Sequence, residues 1–173
     1  MKTYAFGPWP IAASEIFFTS PLSLGLVNYK PIVPGHVLVL PRRVVQRFAD
    51  LTREEVSDLY LSAHTIAKKV ETQYKAESLT ITIQDGVQAG QTVPHVHVHL
   101  IPRRKGDWAD NNDIYPEIDE KERELGETLK QKTTTKKKVI DDENRQQRTP
   151  EDMASEAKML RALFEQSEDI WAA

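Results

Sequence analysis

The segment PHVHVHLIPR, residues 94–103, holds three of the five histidines of the chain, at positions 95, 97 and 99. Strict alternation of polar and apolar residues is typical of a β-strand, in which side chains two residues apart point to the same face. The pattern therefore predicts a strand with His95, His97 and His99 on one face. Side chains so spaced lie about 6.5–7 Å apart, so the rings need not touch and a ligand can bridge them.

Three chemical interpretations fit three imidazoles on one strand face. A metal is one, because an H-x-H pair on a strand can place two ring nitrogens on one zinc ion. A phosphate-type anion is another, with the histidines acting as nucleophile, hydrogen-bond donors or proton carriers. The third is a polar face with no chemistry, which suits a single histidine better than three in register.

The loop before the histidines favours the phosphate interpretation. The sequence DGVQAGQTVP, residues 85–94, offers the backbone N–H groups of two glycines and the uncharged side chains of Gln91 and Thr92, all suited to phosphate oxygens. A catalytic zinc site commonly includes a third ligand and a carboxylate base, and the nearby acid Asp85 belongs to a common turn pair. His36 can serve as a third ligand, so a metal site stays open as the alternative.

The flanking segments predict the rest of a sheet. LGLVNYK (24–30) and HVLVLP (36–41) alternate on either side of the turn PIVPG and predict a hairpin, in which Asn28 and His36 are the odd polar residues. Residues 78–84, SLTITIQ, also alternate and predict a strand that ends at Gln84. If this strand pairs with the histidine strand, Gln84 and the histidines share a polar face.

Capping signals predict two main helices. Thr52 is a plausible N-cap, and Glu55, three residues later, completes a capping box before an apolar stripe that ends near Tyr74. Thr149 and Pro150 open a last helix, whose apolar face is expected to dock on the domain.

A charged stretch separates that last helix from the rest of the chain. More than half of residues 117–149 are charged, which favours a solvated helix over 117–132 and a mobile loop over 133–138. The predicted organisation is a catalytic domain over residues 1–116, a charged, partly mobile insert over 117–148 and a docking C-terminal helix over 149–173.

Composition restricts the class of protein. A length of 173 residues fits one domain, and a net charge of −3 gives no electrostatic case for binding nucleic acid or a membrane. The chain has no cysteine, which excludes disulfides, thiolate nucleophiles and cysteine-ligated zinc. The first residues lack the apolar run of a signal peptide, and no segment approaches the roughly 20 apolar residues of a membrane span. We expect a soluble protein of the cytoplasm, or of the cytoplasm and nucleus.

The sequence resembles a known family at several motifs. HVHVHLI, residues 95–101, resembles the H-φ-H-φ-H-φ-φ pattern (φ, an apolar residue) of the histidine triad superfamily. LVNYKPIVPGHVLVLPRR, IQDGVQAGQTVPHVHVHLIPR, KGDWADNNDIY and RTPEDMASEAKMLRALF resemble its fragile histidine triad branch, the dinucleoside triphosphate hydrolases. The lead-in QDG-x-x-AGQT is the distinctive element. The resemblance covers roughly residues 4–117 and 149–165, and the stretch 118–148 departs from any fixed pattern.

The resemblance implies that His97 is the nucleophile. Its ring nitrogen attacks the α-phosphate and forms a nucleotidyl-histidine, which water then hydrolyses. Imidazole is largely neutral near pH 7 and attacks without first losing a proton, and a backbone carbonyl is expected to orient the other ring nitrogen. His95, Gln84 and Gln91 match positions that hold phosphate oxygens while charge moves to the leaving group.

Other residues are implied in supporting roles. His99 and His36 match positions of the catalytic set that shape the site, and His99 is also assigned to substrate binding. Asn28 matches a position that contacts the nucleotide sugar. The remaining predicted substrate contacts are Thr92 in the loop and the base-pocket residues Phe6, Leu38 and Ile83.

The resemblance also implies a fold, a substrate and partners. The fold is α+β, a five-stranded antiparallel sheet with two main helices, continued across a homodimer. The substrate is diadenosine triphosphate, a dinucleoside polyphosphate, which is cut to AMP and ADP. A divalent ion such as Mg²⁺ is expected to travel with the substrate's phosphates rather than on a fixed protein metal site.

Three alternatives remain at this point. A sister activity of the same superfamily would hydrolyse nucleoside phosphoramidates or adenylyl sulfate. A binding module would hold a dinucleotide, turn it over slowly and signal through the complex. A metalloenzyme would use the histidine face to hold zinc.

Overall fold

The computed structural model describes residues 4–134 and 148–165. Its strands are β1 (Tyr4–Phe6), β2 (Trp9–Ile11), β3 (Ile16–Thr19), β4 (Ser23–Val27), β5 (Val37–Pro41), β6 (Ser78–Thr82) and β7 (Val98–Arg103), and its helices are α1 (Arg53–Gln73), α2 (Ile114–Thr134) and α3 (Pro150–Ala162). The strands β3-β4-β5-β7-β6, in that order, form one antiparallel sheet, and β1 and β2 form a separate small one. The predicted α+β class and five-stranded antiparallel sheet are confirmed.

The central hairpin lies where the alternating pattern predicts it. Strand β4 pairs with β5 in unbroken register, with Leu24 opposite Leu40 and Leu26 opposite Leu38. Both faces of these strands are buried. Packing on both faces explains why valine and leucine occupy seven of the ten positions of these strands.

Helix α1 covers one face of the sheet and begins with the predicted capping box. The Thr52 hydroxyl accepts from the Glu55 N–H, and the Glu55 carboxylate accepts from the Thr52 N–H. The helix ends at Gln73, with Tyr74 as its C-cap, and buries Leu59 and Ile66 completely. Full burial of side chains of this size stabilises the fold by about 1.5–3 kcal/mol each.

The histidine segment enters the sheet later than the alternating pattern predicts. Strand β7 begins at Val98, so His99 is the single histidine of the three within it. Before that point the chain is held by the loop that follows β5, since the Val96 N–H donates to the Val45 carbonyl at 2.7 Å. The pairing of β7 with β5 then places His99 opposite Leu38, and its pairing with β6 places His99 opposite Thr82.

The charged stretch forms a third long helix, whereas the sequence indicates two main ones. Helix α2 begins at Ile114 and is packed against the domain rather than solvated along its length. Its buried aliphatic residues are Ile114, Ile118, Leu125 and Leu129. A helical stripe needs one more buried residue between them, and the side chain at that place is Glu122, 1% exposed.

The last helix begins where the sequence predicts it and ends at Ala162, and residues 166–173 of the predicted helix lie outside the described residues. Thr149 caps α3 through a hydrogen bond from the Asp152 N–H, and Pro150 occupies the first turn. Met153, Ala157 and Leu160 are buried against the domain. The predicted loop over residues 133–138 lies mostly outside the described residues. No helix within residues 4–134 and 148–165 is both long and apolar enough to cross a membrane.

Candidate active site

Four of the five histidines converge inside the protein. His36, His95, His97 and His99 are each no more than 2% exposed, while His64 lies on the exposed side of α1. The His97 and His99 rings lie 4.9 Å apart between centroids, and the His36 and His99 rings 5.2 Å. The rings therefore touch. Side chains two residues apart on a regular strand need not be in contact, but His97 lies just before the regular part of β7.

His97 is held in one orientation by the backbone just before it. Its Nδ1–H donates a hydrogen bond to the carbonyl oxygen of His95, at 2.7 Å. This leaves Nε2 directed at the carboxylate of Glu122, at 3.2 Å. Burial acts to lower the pKa of His97, but the Glu122 charge and hydrogen bond, with the His95 carbonyl, outweigh burial and raise it above its usual value.

His36 and His99 form a chain of directed hydrogen bonds. The Ile32 N–H donates to His36 Nδ1 at 3.1 Å, so His36 carries its proton on Nε2, and this N–H donates a hydrogen bond to His99 Nδ1 at 3.0 Å. The proton of His99 is thereby placed on Nε2, which lies 3.9 Å from the Glu122 carboxylate. Burial lowers the pKa of His36 to about 3 and that of His99 well below its usual value, so both rings are neutral.

His95 uses both ring nitrogens on the backbone. Its Nδ1 accepts from the Gly7 N–H at 3.1 Å, and its Nε2 donates to the carbonyls of Pro41 and Arg43, at 2.9 and 3.1 Å. Burial is the main reason that its pKa falls to about 4. The structure thus ties His95 to the turn between β1 and β2 and to the end of β5. Its predicted contact with phosphate stays a prediction.

The glycine-rich loop is fixed by its own glutamine. Gln91 accepts from the Gly86 N–H through Oε1 and donates through Nε2 to the Gln46 carbonyl, both at 2.9 Å. Gln84 points toward α2, where its Nε2 donates to Asp119 at 2.6 Å, and its Oε1 is buried without a partner. Gln84 therefore faces the site while Gln91 braces the loop.

Glu122 is the acid that sequence reasoning missed. Its Oε1 accepts from the Thr92 N–H at 3.1 Å and from the Val93 N–H at 3.4 Å, while Oε2 faces His97. Burial acts to raise its pKa, but the His97 charge and hydrogen bond, the His99 charge and the Thr92 amide together lower it to about 2. Its position in the sequence could have indicated its burial, because Glu122 lies in the middle of the aliphatic stripe of α2.

The remaining predicted residues line the edges of this cluster. Phe6 is fully buried, with its ring centroid 5.1 Å from that of His97 in an edge-on contact. Leu38 lies in β5 opposite His99, and Ile83 is partly buried against the core. The Asn28 side-chain amide lies 3.2–3.4 Å from the two ring nitrogens of His36.

One group of side chains has the composition of a metal site. Ligand atoms of His97, His99 and Glu122 all lie within 4.8 Å of one another. Two imidazole nitrogens and a carboxylate oxygen suit zinc with one open position. Such an ion would be coordinated by the Nε2 lone pair of His97. The same lone pair could not then attack a substrate, so a bound metal and a nucleophilic His97 exclude each other.

The chain is similar to known proteins over most of its length. Residues 11–106 match the family model described as the HIT domain. The chain is 50% identical over 164 residues to a bifunctional bis(5'-adenosyl)-triphosphatase/adenylylsulfatase FHIT of Arabidopsis thaliana, covering 95% of this chain and 86% of the relative. It is 48% identical over 169 residues to a bis(5'-adenosyl)-triphosphatase of Dictyostelium discoideum, covering 98% of each.

A solved structure shows the same fold. The crystal structure of the Caenorhabditis elegans NitFhit protein superposes with a TM-score of 0.69 at 36% identity over 93% of this chain. This chain spans 30% of that longer protein.

Proposed function

The chain belongs to the histidine triad (HIT) family, and from that premise we propose that it hydrolyses diadenosine triphosphate to AMP and ADP through a nucleotidyl-histidine at His97. The observation that carries this proposal is the pair of bonds made by the His97 ring. One nitrogen is occupied by a backbone carbonyl, and the other faces a carboxylate that is itself held by backbone N–H groups.

The first step follows from this geometry. In the neutral ring, with Nδ1–H bonded to the His95 carbonyl, the Nε2 lone pair attacks the α-phosphorus. The P–N bond forms as the bond from phosphorus to the bridging oxygen breaks, and ADP leaves with that oxygen. The ring becomes positively charged, and the His95 carbonyl stabilises it through the Nδ1–H bond.

The second step releases AMP. Water attacks the same phosphorus, the P–N bond breaks and its electron pair returns to Nε2, while one proton of the water passes to solvent. The buried, neutral His99 can donate a hydrogen bond from Nε2–H to a phosphoryl oxygen, because His36 fixes that tautomer. The N–H groups of Thr92 and Val93, which now bind a carboxylate oxygen, are suited to a phosphoryl oxygen in both steps.

A divalent cation is proposed to arrive with the substrate. The bridging phosphates carry several negative charges, and Mg²⁺ binds phosphates while keeping several waters. Activity that follows the concentration of the Mg²⁺–substrate complex would support this. Stoichiometric zinc in the purified protein, with activity lost to a chelator and restored by zinc alone, would support the metal site at His97, His99 and Glu122 instead.

The decisive experiment compares wild type with His97→Ala. We expect AMP and ADP from diadenosine triphosphate with wild type and no detectable product with the variant. The matched control is His64→Ala, since His64 lies on the exposed side of α1 and should leave the rate unchanged. A His97→Ala rate within about tenfold of wild type, ~1.4 kcal/mol of barrier, would show that His97 is not the nucleophile.

Adenylyl sulfate is a second candidate substrate. The Arabidopsis relative at 50% identity is named for both activities, and the same attack on an adenylyl phosphorus would release sulfate. Turnover of diadenosine triphosphate, adenylyl sulfate and an adenosine phosphoramidate, measured side by side, ranks the three substrate classes. The substrate with the highest kcat/KM decides between them.

We also propose a homodimer in the cytoplasm, or in the cytoplasm and nucleus. Strand β6 lies at an edge of the sheet with Ile81 51% exposed, and an exposed edge favours pairing with another copy. Light scattering should give a dimer mass for wild type and a monomer mass for Ile81→Lys. Imaging of a fluorescent fusion tests the compartment.

A further inference from the structure

We propose that α2 is an internal inhibitor, whose Glu122 carboxylate occupies the place of the scissile phosphate and must leave before substrate enters. This inference rests on the proposed function, because it names what competes with the substrate at His97. The competing group is a segment of the same chain.

The contacts of Glu122 are those expected of a phosphate mimic. One carboxylate oxygen accepts from two successive backbone N–H groups, of Thr92 and Val93, and the other lies 3.2 Å from His97 Nε2. His99 Nε2 lies 3.9 Å from the same oxygen. These are the donors that the proposed mechanism directs at phosphoryl oxygens, and the carboxylate stands in front of the attacking nitrogen.

A second acid of α2 binds Gln84, another residue that is predicted to contact phosphate. Asp119 Oδ1 accepts from Gln84 Nε2 at 2.6 Å. Asp119 and Glu122 lie three residues apart, so one helix face delivers both carboxylates. A polyphosphate cannot bind the same donors while these two acids remain, and like charges also oppose its approach.

The docking of α2 is close and mostly apolar. Leu125 and Leu129 join the main core, and Ile114 and Ile118 pack in a second cluster. Gly126 lies against the loop so tightly that a Cβ added there would stand 2.6 Å from Thr92 Oγ1. The Thr92 hydroxyl also donates to the Glu122 carbonyl at 2.5 Å. Release of Glu122 therefore requires the middle of the helix to move away from the loop.

Kinetics of two variants test the inhibitor. Glu122→Gln keeps the side-chain shape and removes the charge, and Gly126→Ala favours helix formation while forcing the helix away from Thr92. Substrate at saturation displaces the helix in every form, so both variants should lower KM by about tenfold with kcat within about twofold of wild type. The control is Glu127→Gln on the same helix, where Glu127 is exposed and pairs with Arg123.

Chemical labelling tests the inhibitor without any substrate. Diethyl pyrocarbonate should modify His97 in wild type much more slowly than the exposed His64, which serves as the reference within each chain. Glu122→Gln and Gly126→Ala should speed His97 labelling by about tenfold, while Glu127→Gln should leave it unchanged. Peptide mass spectrometry measures both rates.

The outcomes separate the two proposals. If no form hydrolyses diadenosine triphosphate yet His97 labelling responds as expected, the proposed function fails, while the coverage of His97 by α2 stands. If hydrolysis proceeds but wild-type His97 labels as fast as His64, the inhibitor fails and the function stands. A higher KM or a much lower kcat in Glu122→Gln would also overturn the inhibitor, because Glu122 would then assist turnover.

Discussion

The Nδ1 atom of His97 lies 2.7 Å from the carbonyl oxygen of His95, two residues earlier in the same segment. This single bond decides which ring nitrogen is available for attack. The carbonyl can only accept, so the Nδ1 position must carry a proton in both the neutral and the charged ring. Nε2 is therefore the nucleophilic atom, and it faces the site.

The neutral His97 ring is predicted to be the Nδ1–H tautomer. Long-range proton–nitrogen NMR correlations at a pH above the pKa of His97 should show a protonated Nδ1 and a bare Nε2. His64, exposed on α1, is the internal reference for an unconstrained ring. A protonated Nε2 in neutral His97 would contradict the assignment of the attacking atom.

The His97–Glu122 pair is predicted to stabilise the fold in a limited pH window. The pKa of Glu122 is lowered to about 2, so its contribution is present above the unfolded value of roughly 4.3 and is lost as pH falls toward 2. The pKa of His97 is raised, so its contribution is present below roughly 6.5 and is lost as pH rises through the folded value. Burial also lowers the pKa of the neighbouring His36, to about 3, and that of His99.

Urea unfolding of wild type and Glu122→Gln measures this effect. The difference in unfolding free energy should be largest between about pH 4.5 and 6.5, at about 1.5–3 kcal/mol, the usual range for a hydrogen bond to a charged group. It should shrink on both sides of the window. A difference that does not change with pH would show that the pair is not ionised in the folded protein.

Gly90→Ala is predicted to damage the loop at Gln84. Gly90 has φ +91°, and a Cβ there would overlap the Gln84 amide nitrogen. We expect a loss of about 2–4 kcal/mol in unfolding free energy, from backbone strain and overlap together. Gly106→Ala is the matched control, because φ is +78° but nothing lies within 4 Å. Equal losses in the two variants, measured by urea unfolding, would mean that the Gln84 contact is unimportant.

His36→Phe is predicted to slow turnover, although His36 acts through His99 and does not itself contact the substrate. The change removes the donor to His99 Nδ1 and frees His99 to place its proton on either nitrogen. One lost hydrogen bond of about 1.4 kcal/mol corresponds to a tenfold lower kcat. The KM should change little, and the NMR spectrum of His99 should show mixed tautomers. An unchanged spectrum would refute the directed chain of hydrogen bonds.

Local patterns were sufficient for most of the fold. The hairpin of β4 and β5, the capping box at Thr52 and Glu55, and the cap at Thr149 each depend on neighbours within a few residues. The start of β7 at Val98 could not be predicted in this way. It depends on the hydrogen bond from Val96 to Val45, about fifty residues away in the chain.

The histidines of the site could be predicted from the sequence, but the buried acid Glu122 could not. Three histidines at alternate positions predict a histidine cluster. His36 is brought to this cluster by the pairing of β5 with β7, which the local pattern does not show. Glu122 could not be predicted as a site residue from its sequence context, because a glutamate in a charged helix is usually solvated. Its burial depends on partners supplied by a distant loop and by His97, which no local pattern encodes.

The ring of His95 connects the smallest part of the fold to the reaction. It accepts from Gly7 in the turn between β1 and β2, while the carbonyl of the same residue holds His97. The N-terminal hairpin is thus a brace for the attacking atom, although it belongs to no part of the five-stranded sheet. Because Phe6, Trp9 and Ile11 of this hairpin also belong to the main hydrophobic core, a protein engineer who removes the hairpin should expect to lose both core packing and the orientation of the nucleophile.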